Sequence, residues 1–303
     1  MKTENLRNFI LLQFSILLLM LTTIPEIDIL GALGVDTVDF KEAICKIVGV
    51  VFAAKSLKFF MDDFKAEGKE LKMPLLVSAG VGLVLALITI VPSIPMWVET
   101  IGFIALTVAL ILSKKSLEVE FVNDGVKGAY MILLAILLNL FNDIDGTILI
   151  SLAALVGFFI YWSSLGKLSN TLDETGGKAI SKLKTAIILS IVGVVLGFIP
   201  VFGLFIAAIL GVIAFFMQYK AYGILSTSSS LNEEGQAGAL KLRTSMIILL
   251  VGSILGIIPG LGGMIQGFLA IIALLFVFKG WSAIMLSLNY MATFTAAPAE
   301  IAE

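Results

Sequence analysis

Apolar runs separated by two alternating kinds of break organise this chain. One kind is built from proline and glycine, as in Ile199-Pro200-Val201-Phe202-Gly203 and Ile258-Pro259-Gly260-Leu261-Gly262-Gly263, and the other carries lysine, arginine and small polar residues. Proline lacks an N–H and glycine pays the largest backbone entropy, so the first kind marks tight turns between two helices. The pattern predicts an all-α integral membrane protein of about ten transmembrane helices, near residues 8–24, 40–62, 75–91, 98–113, 128–141, 147–163, 184–199, 204–219, 243–258 and 264–279. At ~1.5 Å per residue most of these reach ~21–26 Å, short of the ~30 Å hydrocarbon core. Flanking lysines and aromatic residues would complete the span by snorkelling. Re-entrant hairpins, which dip in and return, are the alternative for any one pair.

The breaks repeat. Shifting the sequence by 59 positions superposes Lys182-Leu183-Lys184-Thr185 on Lys241-Leu242-Arg243-Thr244, then Gly193 on Gly252, Gly197 on Gly256, Pro200 on Pro259 and Gly203 on Gly262, with 16 identities over the 39 positions from 182 to 220. Two unrelated apolar helices would match in leucine and isoleucine but not in this punctuation as well. A shift of 57 brings Lys127 onto Lys184, Gly146 onto Gly203 and Phe158-Phe159 onto Phe215-Phe216. Two further units are matched by pattern alone, giving five tandem helical hairpins with tips at Pro25, Pro92, Gly146, Pro200/Gly203 and Pro259/Gly262. The expected divisions are 1–73 for the first hairpin with a basic extension, then hairpins at 74–126, 127–180, 181–239 and 240–286, and a flexible tail at 287–303.

Charge sets the orientation, because loops rich in lysine and arginine stay cytoplasmic. Eighteen of the twenty basic residues lie with the termini and inter-hairpin linkers, and only Lys41 and Lys46 lie near a tip. Both termini are therefore expected in the cytoplasm of a prokaryotic cell, with the chain multi-pass in its inner membrane. Trp97, Trp162 and Trp281 are expected at helix ends, where indole suits the water–lipid boundary. Lys2 and Arg7 before an apolar stretch resemble a signal peptide, but no small-residue cleavage site follows, so Phe9 to Ile24 is read as an uncleaved first span.

The second span is the weakest, since only eight uncharged residues separate Lys46 from Lys55. Beyond it Lys55, Lys58, Lys65, Lys69 and Lys72 recur at helical spacing, opposite Leu57, Phe60 and Phe64. The segment reads either as a surface helix that contacts anionic lipid or as a solvated extension neutralised by its own acidic residues.

Composition bounds the chemistry. With 59% apolar and 14% charged residues over 303 positions and a mean hydropathy of +1.08, no soluble core could hide the apolar surface. The net charge of −2 offers no field for nucleic acid. Cys45 is the only cysteine and there is no histidine, which removes disulfides within the chain, Cys/His zinc sites and Ser-His-Asp catalysis. Glu174-Thr175-Gly176-Gly177-Lys178 lacks the spacing of a phosphate-binding loop and reads as a flexible linker, as does Ser226 to Gly238. Asn142, Asp143 and Asp145 fit turn chemistry before Gly146 better than a calcium loop. No metal, cofactor or catalytic residue is expected.

Two sets of residues remain. Gly193, Gly197, Gly252 and Gly256 place small residues on one helical face for close packing. Asn139, Asn142, Asp143, Asp145, Ser151 and Gln266 are the polar positions that a solute path would use. The expected role is a non-enzymatic scaffold or accessory subunit, partnered by the lipid bilayer and by itself or another membrane protein. The alternative is a channel or carrier for a small neutral or weakly polar solute.

Overall fold

The computed structural model describes residues 10–11, 47, 49–51, 54–58, 61–62, 65, 73–88, 98, 101–102, 105, 108–109, 112, 123–140, 148–197, 199, 202–258 and 262–295. Among the described residues the chain is all-helical, without a strand. The main helices are α1 (Met73–Ile88), α2 (Asp124–Leu140), α3 (Ile148–Ser169), α4 (Glu174–Gly197), α5 (Phe202–Leu225), α6 (Glu233–Leu255) and α7 (Gly262–Thr295). They fall into two compact units, one of Met1–Glu120 with Leu140–Ser151, the other of Phe121–Asn139 with Leu152–Glu303.

In the first unit α1 buries Leu75 and Ala79, one turn apart, in a cluster with Ala109 against which Leu57 and Leu112 pack. Its other face carries Met73, Val77, Val81, Val84 and Ile88 outward. Such a stripe is stable only against lipid or a partner. Residues 54–58 are helical, with Lys55 and Lys58 exposed and Ser56 buried, and Lys65 is helical and exposed too. Lys69 and Lys72 lie outside the described residues, as do the tips Pro25, Pro92, Gly146, Pro200 and Pro259.

In the second unit consecutive helices form antiparallel pairs. Gly193 of α4 faces Ala207 and Leu210 of α5, and Gly252 of α6 faces Leu269 of α7. The last turn of α4 and that of α6 close alike: Ile199 N–H donates to Leu196 and Gly203 N–H to Ile199, just as Ile258 donates to Leu255 and Gly262 to Ile258. Glycine is required here by space. A methyl group at Gly203 would overlap the Leu196 carbonyl oxygen, and one at Gly262 would come within 2.7 Å of the Leu255 carbonyl oxygen.

The helices outrun the apolar runs that predicted them. Toward the linkers α3, α4, α5, α6 and α7 extend six to sixteen residues beyond the expected ends at 163, 184, 219, 243 and 279. Lipid exposure selects apolar residues, but helix formation needs only backbone hydrogen bonds and permissive side chains, and glutamate, glutamine, alanine and lysine serve well. At 24 residues α4 and α5 reach ~36 Å, ample for the hydrocarbon core. Among the described residues, four helices are long and apolar enough to cross a membrane: Glu174–Gly197, Phe202–Leu225, Glu233–Leu255 and the stretch Ile265–Ala292 within α7.

Several expectations are corrected by this extension. Glu174 to Lys178 is the first turn of α4 and Glu233 to Gly238 that of α6, so neither is a flexible linker. The expected divisions at 126/127, 180/181 and 239/240 fall inside α2, α4 and α6. The helix of the last hairpin does not stop at 279, nor does a loose tail begin at 287, because α7 continues to Thr295 with Ser287, Leu288 and Asn289 buried. Trp281 is correspondingly not at a helix end but inside α7, only 1% exposed, with its ring edge-on to Tyr222. Apolar contact with neighbouring helices, rather than a membrane boundary, accounts for its place.

Candidate functional site

The linker-side turns of the second unit form its best-defined arrangement of side chains. Each entry helix begins with the same cap: the side-chain oxygen of Asn123 accepts from Val126 N–H at 2.8 Å, that of Asp173 from Gly176 at 3.0 Å, and that of Asn232 from Gly235 at 3.0 Å. Such residues satisfy one of the four orphan donors at a helix start. Beside each cap a glycine admits a hydroxyl-bearing residue contributed by the paired helix or the join that follows it. Thr171 covers Gly125, Ser228 covers Gly176 and Ser287 covers Gly235, each so closely that a methyl group on the glycine would overlap it.

One to two turns further in, the backbones themselves meet. A methyl group at Gly128 would lie 2.9 Å from the Ser164 carbonyl oxygen, and one at Gly238 2.7 Å from that of Gly280. Ala179 and Ala221, 59 residues before Gly238 and Gly280, are fully buried. Small residues at these crossings allow contact of helix backbones where a larger side chain would force them apart.

Neighbouring hairpins are joined by cations on rings. Lys184 Nζ lies 5.7 Å from the Trp162 ring and the Arg243 guanidinium 4.2 Å from that of Tyr219, with Gly166 and Gly223 leaving room beside each. The attraction of a cation for the negative ring face is strengthened by partial burial. Tyr161 and Tyr222 share a hydrogen bond between α3 and α5.

Asp173 ties two linkers together. Its carboxylate accepts from the Ser228 hydroxyl, from Ser229 N–H and hydroxyl at 3.1 and 2.9 Å, and from Gly176 N–H, while its own N–H donates to Ser230 Oγ at 2.7 Å. Partial burial pushes the carboxyl up, but these hydrogen bonds to the charged form outweigh it and hold the group at about 2.

The residues singled out in the sequence distribute differently. Gly193 and Gly197 face Ala207 of their own hairpin, and Gly256, the C-cap of α6, lies beneath the side-chain amide of Gln266. Ser190 and Ser253 donate to carbonyls of their own helices, Ala186 and Leu249. Asn139 and Ser151 are on α2 and α3, and Asn142, Asp143 and Asp145 lie outside the described residues. Among the described residues no three His, Cys, Asp or Glu side chains gather as metal ligands. Hydropathy alone places the basic entries outside the packed spans and so passes over the caps and crossings; the pairs Gly176/Gly235 and Ala221/Gly280, each 59 residues apart, carry the signal.

A cleft of about 280 Å³ opens alongside α2 and α3, lined by Met131, Phe159, Ile160, Ser163, Ser164 and Lys167. Comparison with known protein families, with curated proteins and with solved structures returns no match. Among the described residues this is an all-helical, membrane-embedded protein whose linker-side turns are packed through small residues and capped by short polar ones.

Proposed function

We propose that this chain is a non-enzymatic scaffold or accessory subunit of a prokaryotic cytoplasmic membrane, built from five tandem hairpins with ten crossings and both termini in the cytoplasm. The observation that carries the reading is how the apolar helices use their few polar groups. Ser190 and Ser253 donate to carbonyls of their own helices and Gln266 lies over Gly256, which favours helix packing over a solute path. Meanwhile Val195, Phe202, Leu204, Phe205 and Ile257 point outward, all more than half exposed. An outward apolar flank over a rigid linker-side base suits a protein that holds neighbours in the bilayer.

The test is gentle extraction from native membranes after brief chemical crosslinking. The reading expects a stoichiometric membrane-protein partner or a second copy of the chain. A monomer that carries no partner overturns it. If cysteines introduced at Ser190, Ser253 and Gln266 react with aqueous thiol reagents from both sides of the membrane, a solute path replaces the scaffold.

A further inference from the structure

The cleft beside α2 and α3 is graded along its length. Phe159 and Ile160 of α3 give it an apolar end toward the hairpin tip, and Met131 of α2, one turn beyond the Gly128–Ser164 crossing, forms its apolar wall on the other side. One and two turns closer to the linker stand Ser163 and Lys167 on the same face of α3. That order, apolar and then hydroxyl and ammonium, is the order met along a phospholipid from acyl chain to headgroup. Ser164 is already committed, its hydroxyl donating to Ile160. Ser163 is exposed, and Lys167 has no ion-pair or hydrogen-bond partner among the described residues.

Depth agrees with this gradient. Trp162 lies one residue from Ser163 with Lys184 over its ring, and an indole with a lysine above it marks the level where lipid gives way to water. Size narrows the occupant. A helix is ~10–12 Å across with its side chains, whereas a space of about 280 Å³ suits one flexible chain rather than a helix.

We propose that this cleft seats one anionic phospholipid, its acyl chain against Met131, Phe159 and Ile160 and its phosphate against Lys167 and Ser163. Basic residues at the headgroup level between transmembrane helices select negatively charged lipids. The inference rests on membrane embedding alone and is independent of the scaffold reading.

The experiment uses the full chain in phosphatidylcholine nanodiscs doped with a lipid carrying a photoreactive group on its acyl chain, as either phosphatidylglycerol or phosphatidylcholine. Adducts are mapped by mass spectrometry. The expected result is labelling of Met131 and the 159–167 segment, several-fold stronger for phosphatidylglycerol. Lys167→Gln should abolish the preference and Lys167→Arg should keep it, while Lys182→Gln, at an exposed lysine of α4, should leave it unchanged. Equal labelling by the two headgroups overturns the proposal, as does a preference that survives Lys167→Gln. Crosslinks from this cleft to a second copy of the chain in place of lipid would overturn it too.

Discussion

In α6 and α7 the linker-side turns bury Gly235, Gly238, Ala239 and Leu242 of one helix with Trp281, Ile284 and Ser287 of the other. Toward the tips the same pair turns Ile254, Ile257 and Phe268 outward, each more than half exposed. The contrast separates two duties of a membrane helix. Apolar side chains near the tips satisfy lipid and tolerate variety, whereas the linker-side turns fix geometry through small residues, caps and ring contacts. In lipid there is little hydrophobic gain in bringing helices together, so close backbone approach and hydrogen bonding must supply it.

The sharpest way to break this contrast is to widen a crossing. Gly238→Leu drives a side chain into the Gly280 backbone and should cost about 3 kcal/mol in a detergent-unfolding titration. Gly211→Ala, with nothing within 4 Å of the new methyl group, should leave the midpoint unchanged or slightly raised.

Next in size is the clasp between linkers. Asp173→Ala removes a cap and strips four donors of their acceptor, for about 1–2 kcal/mol. The folded carboxyl is depressed from 3.8 to about 2, so the stability it contributes is complete above pH 3.8 and is lost as pH falls through about 2. Acid titrations of the native chain and of Asp173→Asn should therefore converge across that window. A constant gap between the two curves would show that the charge is not what matters.

Arg243→Gln removes the cation from the Tyr219 face and should cost about 0.5–1 kcal/mol, read in the same titration. Smallest of all, Phe205→Ala at a tip-side position 69% exposed should shift the midpoint by less than about 0.5 kcal/mol. A large loss there would mean that the tip-side surface is an intramolecular interface.

Hydropathy made the tip-side part legible from sequence, because lipid-facing runs and Pro/Gly punctuation both leave strong signals. Gly203 and Gly262 stand out in that punctuation, and their close approach to backbone carbonyls explains why glycine is needed there. The linker-side part was not legible by the same route. Lysines at 182, 184 and 241 look like the end of a span, yet they sit on helices that started two to three turns earlier. A cap such as Asp173 or Asn232 is a single short polar residue, and its meaning depends on Ser228 or Ser287 some 55 residues away. In sequence Trp281 looks like a boundary marker, and only the neighbouring Tyr222 shows it to be core.

The central claim is that charged entry and exit segments belong to packed helices and not to solvated linkers. Amide hydrogen exchange on the chain in lipid nanodiscs tests it directly, read over 174–184, 219–225, 233–243 and 279–289. Protection comparable to that of 185–197 and 244–255 is the predicted result. Exchange within seconds across 174–184 and 233–243 would contradict the account and return those segments to mobile linkers.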